Sequence, residues 1–119
     1  MQRRFRLTRS EDFKRVRRSG KSYAHPLVVL IALNSEQTEP ARVRVGIAAG
    51  RMIGTAVHRN RAKRLLREAM RTLIPGIVSS LDLILIARPG LVSASLEETR
   101  RALLNLLRRA QILSLTHES

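Results

Sequence analysis

GTAVHRNRAKRLLREAMRTL, Gly54 to Leu73, is the stretch around which the rest of the chain must fold. Placed on a helix at about 100° per residue, Ala62, Leu65, Leu66, Ala69, Met70 and Leu73 fall on one arc, which predicts an amphipathic helix between Thr55 and Leu73. Pro75-Gly76 ends it, because proline cannot continue the hydrogen-bond ladder. On its N-terminal side Arg42-Val-Arg-Val45 alternates strictly and continues into Gly46-Ile-Ala-Ala49, the period of a strand half buried at its start. On its C-terminal side Leu83-Ile-Leu-Ile-Ala87 is a wholly apolar strand that Arg88-Pro-Gly90 closes.

Further out, Thr8-Arg-Ser-Glu11 has capping-box spacing ahead of Phe13 and Val16, and Gly20 follows as a stop, predicting a short helix from Ser10 to Arg18. Leu27 to Leu33 is an apolar run rich in valine and isoleucine, and Asn34 to Ala41, with Pro40, supplies a loop. That order predicts a hairpin between Leu27–Leu33 and the strand beginning at Arg42. Ser95-Leu-Glu-Glu98 is a second capping box, and Leu96, Leu103, Leu107 and Ala110 mark a last amphipathic helix with Arg100, Arg101, Arg108 and Arg109 outside. Helix, strands, helix, strand, helix indicates an α+β sandwich, with residues 1–119 forming one domain. If the strands flanking the main helix are parallel neighbours, their crossover would ordinarily be right-handed.

Charge narrows the function. In 119 residues, 23 Lys and Arg oppose 9 Asp and Glu, a net charge of +14 that calls for a polyanionic partner. Only Lys14, Lys21 and Lys63 are lysines, and the planar fork of the many arginines suits phosphates and base edges. The hydrophobic share of 44% is enough for a folded core. No cysteine is present, which excludes disulfides, thiol catalysis and cysteine zinc sites and fits a reducing cytosol. The basic N-terminus has no apolar stretch behind it, and no run approaches the roughly 20 apolar residues of a membrane span, so a cytoplasmic protein without a membrane partner is expected.

The charge concentrates on the main helix. Lys63, Asn60, Arg67, Arg71 and Arg64 share the side opposite its apolar arc, with Arg59 and Arg61 at the margins. Seven Arg or Lys lie from Arg51 to Arg71 against one acid, Glu68, so the face repels itself until a polyanion covers it. Asn60 is a poor residue inside a helix but carries a donor and an acceptor that can read a nucleotide. A solvated basic face is the alternative. A protein-based nuclease would need a general base or clustered metal ligands, yet His25, His58 and His117 are scattered and the acids few, so no catalytic or metal-ligating residues are assigned. Asp82, ahead of its apolar run, reads as a turn residue. A structural RNA-binding protein of the ribosomal type would share the charge and the sandwich; a DNA-binding module is disfavoured for want of a helix-turn-helix pair or zinc ligands.

Arg59-Asn60-Arg61, followed by Lys63-Arg64 and Arg67-Glu68 and preceded by Ile53-Gly54-x-Ala56-Val57, is similar to the Arg-Asn-Arg signature of the bacterial ribonuclease P protein family. Arg6-Leu7, Asp12-Phe13, Val16 and Gly20-Lys21 resemble the family's N-terminal segment, Arg44-Val45-Gly46 its strand before the signature, and Asp82 with Ile84 to Arg88 its last strand. The resemblance implies an αβββαβα sandwich like the second domain of ribosomal protein S5, with a mainly antiparallel four-stranded sheet and a left-handed βαβ crossover. It implies an accessory subunit of an endoribonuclease that removes the 5′ leader of precursor tRNA, with the catalytic centre and its magnesium ions in an RNA subunit and one protein per RNA. The family's contact with its catalytic RNA maps onto Arg51, Arg59, Asn60, Arg61, Lys63, Arg64 and Arg67, and its leader cleft onto Phe13, Val16, Arg17 and Ile31. Arg17 and Ile31 stand where the family often has aromatics, and Thr55 where it often has asparagine.

Overall fold

The computed structural model describes residues 5–35, 43–77 and 79–112. Three helices, α1 (Ser10–Ser19), α2 (Ala56–Leu73) and α3 (Leu96–Arg109), alternate with four strands, β1 (Lys21–Ala24), β2 (Val28–Asn34), β3 (Val43–Ala48) and β4 (Leu81–Ala87), in the order αβββαβα. The strands form one mixed sheet in the order β1-β2-β4-β3, with β1/β2 and β2/β4 antiparallel and β3/β4 parallel. The hairpin therefore joins β1 to β2, and the one expected between Leu27–Leu33 and the strand from Arg42 does not form. The reason lies in β4: an apolar strand gains most in the middle of the sheet, so it separates β2 from β3 and pairs with both. Arg42 and most of the preceding loop fall outside the described residues.

Alternation along β2 and β4 divides the interior in two. Val28, Leu30, Leu83 and Leu85 face α2 and α3 in the larger core, where Leu66, Met70, Leu103, Leu106 and Leu107 are fully buried. Ile31 and Ile84 face the other way and, with Leu7 and Val16, make a smaller core beneath α1. At roughly 1.5–3 kcal/mol per buried aliphatic side chain, four residues hold α1 far less firmly than the larger core holds the other two helices. The sheet thus has a well-covered face and a thinly covered one.

Local signals set the helix ends, with one exception. Ser95 accepts from the Glu98 backbone N–H while the Glu98 carboxylate accepts from that of Ser95, completing the capping box predicted for α3. Thr55 caps α2 by accepting from His58 N. The box at Thr8 does not form: the N-cap of α1 is Arg9, with no side-chain cap. Leu7 N donates to Val45 O, which pins the chain to the free edge of β3 and leaves Thr8 one position too early. Asp82 is not a turn residue either, since β4 begins at Leu81 and Asp82 lies within it at 1% exposure.

Candidate nucleic-acid interface

The loop into α2 is shaped by Gly54. A single 3-10 turn over Arg51–Ile53 buries Ile53, and Gly54 then reverses the chain at φ 120°, a conformation that side chains rarely adopt. A Cβ there would also stand 3.1 Å from His58 Nδ1. The turn leaves Arg51 exposed just ahead of the first turn of α2, where His58 is also exposed.

From there α2 presents three stripes. Ala62, Leu66, Ala69, Met70 and Leu73 are buried. Asn60, Arg61 and Arg64 point into solvent, while Arg59, Lys63 and Arg67, four residues apart, are half-buried along one flank. Arg71 spends its charge on Glu68 at 2.7 Å, and that hydrogen bond and charge hold the Glu68 carboxyl below the usual range. Among the described residues none of Arg59, Arg61, Lys63, Arg64 and Arg67 has an acidic partner. Arg59 Nε is shielded from water and, among the described residues, has no hydrogen-bond partner.

Arg67 also joins a second surface. With Arg6, Leu7, Thr8, Phe13, Val45 and Ile47 it lines a groove between the N-terminal segment, α1 and the edge of β3. The Phe13 ring lies across Gly46, so close that a Cβ there would come within 2.5 Å of the ring tip. Phe13 is half-buried, with the glycine as its floor. Arg17 is exposed on the last turn of α1. Val16 and Ile31, the other two cleft candidates, are 0% and 8% exposed, belong to the core beneath α1 and do not line this groove. A strand of RNA has no access to Val16.

An ionic ring that the sequence did not announce fixes the position of α1. Asp82 accepts from Arg44 Nε and Arg44 Nη2 at 3.0 Å each and also accepts from Arg15 of α1. Arg15 donates to Asp12 at 3.2 Å, and Asp12 closes the ring with Arg44 at 3.8 Å. Burial opposes ionisation of Asp82, but bonds from Arg44 and Arg15 outweigh it and hold the carboxyl below the usual carboxylate range. The available signal was an acid inside an apolar strand, which demands a cation facing it. Arg6, Thr8 and Ile47 of the groove had no comparable signal.

A self-repelling helix face beside a groove with one aromatic wall, on a four-stranded sheet, defines an RNA-binding α+β sandwich. The family model described as Ribonuclease P matches residues 1–111. The ribonuclease P protein component of Herpetosiphon aurantiacus is 42% identical over 112 residues, covering 94% of this chain and 89% of that one. That of Brevibacillus brevis is 40% identical over 113 residues, covering 95% and 88%. Among solved structures, the RNase P protein of Staphylococcus aureus superposes with a TM-score of 0.80 at 28% identity, covering 92% of this chain and 98% of that one. The RNase P protein of Thermotoga maritima gives 0.76 at 30%, covering 87% and 96%. The chain belongs to the ribonuclease P protein component family, the accessory protein subunits of the ribonucleoprotein that matures the 5′ ends of tRNA. Its partner is therefore the ribonuclease P RNA, and the reading as a ribosomal structural protein gives way.

Proposed function

We propose that this subunit grips the catalytic RNA with Arg51 and the cationic face of α2, and lays the single-stranded 5′ leader of precursor tRNA in the groove beside Phe13. It thereby raises the enzyme's affinity for precursor tRNA, while bond cleavage resides in the RNA. The observation that carries this reading is the set of five α2 cations, Arg59, Arg61, Lys63, Arg64 and Arg67, with no acidic partner among the described residues. Their mutual repulsion is relieved when phosphates approach. A phosphate accepting a bond from Arg59 would also offset the cost, about 1–3 kcal/mol, of a donor left without a partner.

The groove suits a single strand for a different reason. Phe13 offers one stacking surface, and Arg6, Arg67 and the nearby Arg17 offer charge, a combination that binds without demanding a sequence. Of the acids near the groove, Asp12 and Asp82 are held by arginines, which supports placing the magnesium on the RNA subunit. One protein per RNA and a cytoplasmic site of action complete the proposal; no helix among the described residues is long and apolar enough to cross a membrane.

The test compares binding of precursor and mature tRNA to the RNA subunit alone and to the reconstituted complex. A gain in affinity confined to the precursor supports the leader groove. An equal gain for both tRNAs contradicts it.

A further inference from the structure

Beyond the signature face and the leader groove, α2 has a third surface. Its first turns and the first turn of α3 enclose an open groove lined by Val57, Leu65 and Leu96, with Arg61, Arg64 and Glu68 around them. Val57 is 72% exposed and Leu96 43%, although Leu96 falls on the apolar side predicted for α3. Aliphatic surface is thus left open to solvent beside cationic side chains.

The rim decides what fits. Arg61 and Arg64 are exposed and, among the described residues, have no acidic partner, whereas Glu68 is engaged by Arg71. The acids that flank Leu96 are also engaged, Glu98 in the capping box and Glu97 with Arg101 at 3.4 Å. An aliphatic floor under two free guanidinium groups complements a flat base carrying an anionic backbone: the base stacks on the apolar and guanidinium surfaces, and its phosphates meet the charge.

We propose that the groove between the first turns of α2 and α3 is a separate RNA subsite, which takes one unstacked, unpaired nucleotide of the catalytic RNA. The inference rests on the reading of α2 as the RNA-binding helix and extends the interface from α2 onto α3. Val57 and Leu96 supply the stacking floor, and Arg61 and Arg64 hold the flanking phosphates.

The experiment measures affinity of the full chain for ribonuclease P RNA across a salt series, for the native chain, Arg61→Ala, and the double variant Val57→Ala with Leu96→Ala. The double variant is expected to bind about tenfold more weakly, the scale of a few methyl and methylene groups lost from under the base, with an unchanged log–log salt slope because no phosphate contact is removed. Its thermal unfolding temperature should fall only modestly, since Val57 is 72% and Leu96 43% exposed, and chemical probing should show one unpaired nucleotide losing protection. Unchanged affinity in the double variant, with weakened binding in Arg61→Ala, overturns the subsite and leaves the RNA face standing. If Arg61→Ala also binds normally, the RNA face itself fails. Self-association of the free chain that vanishes in the double variant would assign the groove to a second copy and equally overturn the proposal.

Discussion

At Asp82, a carboxylate at 1% exposure is held ionised by Arg44 and Arg15, which come from β3 and α1. Because the folded group ionises at lower pH than the unfolded one, near 3.9 for free Asp, its stabilisation is complete above about pH 4 and disappears as pH falls through the folded value. Asp82→Asn should lower the unfolding free energy by roughly 3 kcal/mol at neutral pH, the low end for breaking a buried pair, since both guanidinium groups keep some access to water. Urea unfolding at neutral pH and near pH 3 checks it: the gap between native chain and variant should narrow in acid. An equal gap at both would contradict the assigned charge state. Gly46 makes a second prediction. Gly46→Ala pushes against the tip of the Phe13 ring, which must move, so leader-dependent affinity should fall about as far as in Phe13→Ala, roughly 1–3 kcal/mol per lost stack. Mature tRNA should bind as before; equal losses for precursor and mature tRNA would indicate a folding defect instead. Asp82 was not legible in advance because its arginines lie 67 and 38 residues away. The apolar run after it favoured a turn.

Among the elements, those governed by local periodicity were legible and those governed by pairing were not. The helical spacing of Ala62, Leu66, Ala69 and Leu73 placed α2 correctly, while its cap, Thr55, came from the structure. Ser95 and Glu98 likewise placed α3. Strand β1 escaped direct reading because Lys21–Ala24 is short and mostly exposed, with no apolar alternation to betray it. The order β1-β2-β4-β3 depends on contacts between distant segments, which no short window of sequence contains. On α2, Arg61→Ala should weaken binding to the RNA subunit about tenfold and reduce the log–log salt slope by roughly 0.7 to 0.9, the share of one phosphate contact. Titrations from low to high salt read both quantities. A slope equal to that of the native chain would count against α2 as the RNA face.

For the molecule as a whole, the net charge of +14 declared a polyanionic partner, and the spaced signature specified which one. What neither declared is how the two working surfaces meet. Arg67 belongs to the cationic stripe of α2 and also lines the groove beside Phe13, so the surfaces proposed for catalytic RNA and for leader adjoin at one side chain. The groove wall on α1 is anchored by a four-residue core and an ionic ring, while α2 stands on the larger core. This division predicts that damage to the ring loosens leader binding before it loosens the grip on the catalytic RNA. In the proposed role the chain assists an RNA enzyme by positioning RNA, with the cutting left to the RNA. The most direct test of that role is leader cleavage from precursor tRNA by a ribonuclease P RNA at low magnesium, with and without this chain. Cleavage strongly stimulated by the chain, with none by the chain alone, is the predicted result. No stimulation over RNA alone, or cleavage by the protein without RNA, would contradict it.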